Sequence, residues 1–341
     1  MRSSWLVMIG QRLLQALPAL IGIILVTFIL TRSLPGDPAV FFAGPAADEQ
    51  SIAEVRASMG LDRPLPVQLG YYVQGLLAGD WGVSHNTGRD VTEELARRLP
   101  ASLELTLLGL ILSMAVAIPL GVLAATRPNS LIDHVCRVMV TAGVSMPVFF
   151  TGLLLVYVFY YLLGWAPSPL GRLPFLYSSP PTVTGFYLVD SLLAGQLDVF
   201  WASLKQLALP AITLGIFAMA PIARMTRASM LTVLASDYIR TARATGLSRR
   251  KVLLTYALRN AMLSVLTTLG MVFSFLLGAN VLVEQVFSWP GIGSFAVDAL
   301  VASDYAAVQG FVLSMALLFL TVNLIIDLLY TVIDPRVGGQ N

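Results

Sequence analysis

The sequence predicts an all-α polytopic membrane protein: six transmembrane helices, with a small extracytoplasmic cap between the first two. Three observations predict it. Mean hydropathy is +0.79 across 341 residues. Hydrophobic residues make up 57% of the chain and charged residues only 12%, too few to coat a soluble surface. The apolar residues fall in long continuous runs, and about 20 of them suffice for a helix to cross a hydrocarbon core of about 30 Å.

Six runs qualify: 13–31, 103–123, 138–163, 204–222, 261–283 and 312–332. The first exceeds the usual apolar length of a secretory signal, and no small-residue cleavage site precedes "TRSLPGDP", so it is expected to stay as a permanent helix. Pro18, Pro119, Pro147 and Pro210 lie inside these runs. Membrane helices tolerate such kinks because neighbours satisfy the freed carbonyls.

The segments between the runs differ in character. Residues 32–100 open on the Pro-Gly turn of "LPGDP", then place Ile52, Val55 and Met59 near a helical period, as in a small folded cap. Residues 164–203 are rich in Pro and Gly until an apolar piece at 186–200. Asp190 and Asp198 interrupt that piece and Gly195 weakens it, so an extramembrane or interfacial helix is expected. Residues 284–310 contain "FSWPGIG", a turn at Pro290-Gly291, and then a short helix-like run. The domain reading is therefore an N-terminus with the first helix over 1–31, a cap over 32–100, and a five-helix core over 101–341 with a loop at about 224–260.

Cations orient the chain. With the N-terminus cytoplasmic, that side carries thirteen Lys and Arg and the opposite side eight, six of them in a first outer loop too long for loop charge to count reliably. Both termini are expected in the cytoplasm. The single cysteine, Cys136, forms no internal disulfide and reads as a small membrane-proximal filler.

Most catalytic chemistry is missing. His85 and His134 fall on opposite sides of the predicted membrane, which speaks against a metal or histidine-based centre. There is no H-E-x-x-H and no G-x-S-x-G. Neither Lys205 nor Lys251 follows glycine, so no phosphate-cradling G-x-x-x-x-G-K-[ST] loop exists. Asp327 is the one acid well inside a run. It lies about two turns from the cytoplasmic end, with Asn323 and Tyr330 on its face, so a hydrogen-bonded anchor is preferred to a proton relay.

Residues 240–261 hold six cations and no acid. Ser236 or Asp237 can cap a first short helix that Gly246 ends in the left-handed conformation. Ser248 can cap a second, whose first turn carries Arg249, Arg250 and Lys251 against the helix dipole. Two readings compete: positive-inside topology with contact to anionic lipid, or a docking surface. For docking, the small side chains of Thr241, Ala242, Ala244 and Thr245 admit a close approach, flanked by Arg240 and Arg243.

"RTARATGLSRRKVLLTYALRNA" resembles the coupling loop of ABC importer permeases, whose general pattern is E-A-A, three residues, Gly, nine residues, Ile, one residue, Leu-Pro. Ala242, Gly246 and Leu258 match; Arg240, Thr241, Tyr256 and Arg259 depart. The departures are similar to the form used by the dipeptide/oligopeptide/nickel permease family. "LPGDP", "GLDRPLPVQ", "GDWGVS", "LALPAITLG", "VFSWPGIG" and "DPR" follow that family's order over nearly the whole chain.

The resemblance implies the type I permease architecture of ABC importers and a half-channel with no catalytic residue and no cofactor of its own. Arg240, Thr241, Ala242, Arg243, Ala244, Gly246 and Leu247 would dock an ATPase. It implies a second permease subunit of similar fold, one or two ATP-binding cassette subunits that bind ATP and Mg, an extracytoplasmic substrate-binding protein, and residence in the cell (inner) membrane. Lipid is the only other partner expected, and nucleic acid is not. Peptide is the expected substrate, with nickel chelates and glutathione-like peptides as alternatives; substrate-binding residues are not assigned. A gradient-driven secondary transporter and a membrane scaffold are the rivals of another class.

Overall fold

A computed structural model describes residues 2–33, 38–44 and 46–333. Most of them are helical; among the described residues extended pairing is limited to one isolated antiparallel bridge, Val83 with Asp90. In chain order the helices are α1 (Arg2–Ser33), α2 (Pro38–Ala43), α3 (Glu49–Ser58), α4 (Leu65–Ala78), α5 (Val91–Thr126) and α6 (Leu131–Ser145). Then come α7 (Val148–Leu155), which runs into a π-helical stretch at Val156–Leu162, α8 (Tyr187–Leu193), α9 (Leu197–Leu234) and α10 (Asp237–Ala244). α11 (Arg249–Lys251) continues through π-helical Val252–Leu258 into α12 (Arg259–Val286), followed by α13 (Ile292–Val301) and α14 (Tyr305–Ile333). Residues 34–37 of "LPGDP" and the "DPR" segment lie outside the described residues.

Among the described residues four helical segments are long and apolar enough to cross a membrane: Val91–Thr126, Leu197–Leu234, Arg249–Val286 and Tyr305–Leu329. Leu14–Ile29 and Val148–Leu162 are shorter apolar helices. The expected third run, 138–163, needs correction, because it is not one helix. Met146 is extended at φ −109°, ψ 138°, and Pro147 stands just before α7. A proline ring pushes the preceding residue out of helical conformation and supplies no N–H, so the helix stops at Ser145. Pro18, Pro119 and Pro210 do lie inside helices, as expected. The apolar piece at 186–200 is split between α8 and the start of α9, with Gly195 at φ +69° in the turn.

The chain forms two compact units. One comprises Met1–Leu99 with Gly291–Leu320, the other Pro100–Pro290 with Thr321–Asn341.

In the first unit, Val91 and Leu95 pack with Ile292, Phe295, Ala299 and Ala307. Asp304, fully buried, accepts hydrogen bonds from Ser84 Oγ at 2.5 Å, Asn86 N at 3.2 Å and Ala307 N at 3.2 Å. The imidazole of His85 completes the knot, Nδ1 lying 3.5 Å from Asp304 and Nε2 3.1 Å from the carbonyl of Ala302. Earlier in the chain, Asp48 caps α3 by accepting from Ser51 N, which starts the helix that Ile52 and Val55 predicted.

In the second unit α9 packs along α12, and α6, α7 and α8 pack on α9. A side chain at Gly121 on α5 would place its Cβ 2.7 Å from Thr226 Cβ and 2.9 Å from the Ala223 carbonyl of α9. Only glycine lets those two backbones come so close. Trp289 of "FSWPGIG" is buried, its indole N–H donating to the Ala101 carbonyl at 3.0 Å. Arg172 and Glu104 form a buried pair at 2.6 Å, with the guanidinium 3.5 Å from the Tyr187 ring centre and also bonded to the Gly185 carbonyl. Glu104 Oε1 accepts from Leu188 N as well, so one carboxylate anchors two points of the 164–196 segment.

Candidate functional site

The two short helices of the basic stretch begin and end where the sequence predicts, though only the second is capped by a side chain. Ser236 occupies the N-cap position of α10, although its hydroxyl donates to the Val233 carbonyl at 2.5 Å instead of capping. The helix runs to Ala244, and Gly246 follows at φ +79°. No neighbouring atom lies within 4 Å of a Cβ built there, so glycine is needed for the backbone turn and not for space. Ser248 then caps the next helix, its hydroxyl accepting from Lys251 N at 3.4 Å.

Tertiary packing sorts the predicted docking residues. Arg240, Thr241, Arg243, Ala244 and Gly246 are exposed. Ala242 is buried, and so is Ile239; they share a core with Val122 and Ala125 of α5, Met230 of α9, and Val252, Ala257 and Ala261. Leu247 packs half-buried against the same core. A helical period explains the division: Ile239 and Ala242 are three apart and point inward, leaving a cationic edge outward. Arg240 forms an exposed 3.5 Å pair with Asp237.

The loop stands on a braced base. Asp133, in the first turn of α6, is fully buried and receives both Nε and Nη2 of Arg227 from α9. Arg137 and the backbone N–H of Asn129 donate to the same carboxylate. No sequence motif announced this pair. Asp133 and its partner lie 94 positions apart, too far along the chain for local spacing to reveal. Asp327 sits half-buried on α14. Among the described residues no cluster of His, Cys, Asp and Glu could hold a metal ion.

Residues 117–339 match the family of binding-protein-dependent transport system inner membrane components, and residues 5–106 match the N-terminal part of such membrane components. The chain belongs to this family. The permease is similar to the probable D,D-dipeptide transport system permease protein DdpB of Escherichia coli K12, 44% identical over 317 residues and 93% of each chain. Identity is 41% over 331 residues to the dipeptide permease DppB of Alkalihalophilus pseudofirmus, covering 96% of this chain and 98% of that one. For the di/tripeptide permease DppB of Pseudomonas aeruginosa the figures are 43% over 333 residues, 97% and 98%. The resemblance read from the motifs is borne out: this is an ABC importer permease subunit of the dipeptide/oligopeptide branch.

Proposed function

We propose that this permease forms half of the translocation pathway of an ATP-driven dipeptide importer in the cell (inner) membrane. Dipeptides are named as the cargo because the full-length relatives carry that substrate in their names. Six spans are assigned by adding the shorter apolar helices at Leu14–Ile29 and Val148–Leu162 to the four long segments. Both termini are cytoplasmic, following the cation bias. A second permease completes the pathway, a binding protein delivers substrate to the outer face, and ATP and Mg stay on the partner ATPase.

The observation that carries the reading is the outward edge of α10, where Arg240, Thr241, Arg243 and Ala244 stand exposed beside the Gly246 turn while Ala242 locks the helix to α5 and α9. ATP-driven movement of such a loop shifts the permease between states only through contacts that differ between them.

Gly246→Trp tests it. The variant is expected to reach the membrane at normal abundance, lose co-purification of the ATPase, and abolish uptake of a labelled dipeptide. Normal uptake in that variant would sink the assignment of this loop. Dipeptide uptake that persists without the ATPase would point to gradient-driven transport instead.

A further inference from the structure

Beside the loop a groove of about 610 Å³ is lined by Thr126, Arg243, Leu247, Arg249, Val252 and Leu253, with Leu234 and Ala125 completing its apolar wall. Among the described residues neither the Arg243 nor the Arg249 guanidinium has an ion-pair or hydrogen-bond partner, whereas Arg240 is paired with Asp237. Two unpaired guanidinium groups over an apolar trough suit an anion that carries hydrocarbon. A bare phosphate would satisfy the cations and leave the half-buried Leu247 and Leu253 without cover on their open side.

Depth supports the same ligand. The apolar run of α5 ends at residue 123, and Thr126 lies three residues on, a rise of about 4.5 Å at about 1.5 Å per residue. That level is the headgroup layer, where clustered Lys and Arg meet anionic lipid. Arg249 also sits in the first turn of its helix, where a cation is unfavourable unless an anion is nearby.

We propose that this groove is a binding site for one anionic phospholipid, its phosphate between Arg243 and Arg249 and its hydrocarbon along Leu247 and Leu253. The bound lipid would tie the loop that follows α10 to the end of α5. The inference rests on the membrane placement of α5; it shares Arg243 and Leu247 with the docking reading, while Thr126 and Arg249 belong to the groove alone.

The assembled transporter, placed in nanodiscs of phosphatidylcholine with graded phosphatidylglycerol, is released into mild detergent for native mass spectrometry. One phosphatidylglycerol per chain is expected to remain, preferred about 10- to 30-fold over phosphatidylcholine. Arg249→Gln should cut that preference about 5-fold. Thr126→Trp, which fills the groove and keeps both charges, should expel the lipid. Equal retention of the two lipids, or full retention in both variants, would overturn the proposal. So would saturation by soluble glycerol phosphate, which marks a free-anion site, or a groove covered by the ATPase in a lipid-free complex. ATPase recovery is scored in parallel. Lipid kept with ATPase lost defeats only the docking reading, and ATPase kept with lipid lost defeats only this one.

Discussion

The carboxylate of Asp133 and the guanidinium of Arg227, 94 positions apart, meet in a two-point fork, Nε to Oδ1 at 2.5 Å and Nη2 to Oδ2 at 3.0 Å. The fork fastens the first turn of α6 to α9. A bidentate guanidinium-carboxylate pair fixes direction as well as distance, which a lysine at 227 would not do.

The Arg227 hydrogen bond holds the Asp133 carboxyl down at about 2, against the opposing effect of burial. Its folded value lies below its unfolded one, so the stabilisation is complete above the usual carboxylate range near pH 4 and disappears as pH falls through about 2. Asp133→Asn is expected to cost about 3 kcal/mol at neutral pH. In detergent, the difference in thermal stability between wild type and variant should stay flat from about pH 8 to 5 and close towards pH 2. A gap that persists at pH 2 would show that the ionised carboxylate is not its source.

Arg172 and Glu104 make the corresponding test for the 164–196 segment. Removing either partner alone leaves a buried charge uncompensated, an expected loss of about 3–5 kcal/mol. Replacing both, Arg172→Met with Glu104→Leu, should lose clearly less than the sum of the single changes. A double-mutant cycle on unfolding temperature measures this coupling; additive losses would mean that the pair is not the unit.

Two glycines separate crowding from backbone strain. Gly121→Ala drives a methyl into Thr226 and the Ala223 carbonyl, so α5 and α9 must part, at an expected cost of about 1–3 kcal/mol. Gly246→Ala meets open space, and its cost of about 1 kcal/mol comes from the left-handed backbone alone. Hydrogen exchange should accordingly rise across both long helices in the first variant and only over 237–251 in the second.

Asp304→Ala removes the acceptor of three donors, Ser84 Oγ, Asn86 N and Ala307 N. Buried donors left without a partner cost about 1–3 kcal/mol each where water cannot reach them. Limited proteolysis is expected to open at 83–90 in this variant, with the helices of the other compact unit unchanged.

Local rules made much of the chain legible. Continuous apolar runs announced the long helices, because hydrocarbon demands about 20 apolar residues and says nothing of their partners. Gly246 and Ser248 announced the turn and the cap, since left-handed backbone and orphan N–H groups are satisfied within a few residues. The proline at 147 was visible too, but it was read as a kink inside a helix. The chain instead ends one helix at Ser145 and starts another at Val148.

By itself the sequence determined a helical membrane permease, its family, and the place of a basic two-helix loop, because hydropathy, capping and motif order are properties of neighbouring residues. Only the tertiary structure decided that Arg227 serves Asp133, that Arg172 serves Glu104 across 68 positions, and that Ala242 faces inward while Arg240 and Arg243 face out. The physical reason is that a buried charge needs its complement at bonding distance, and which helix supplies that complement depends on which surfaces pack together, a choice that no window of local sequence contains.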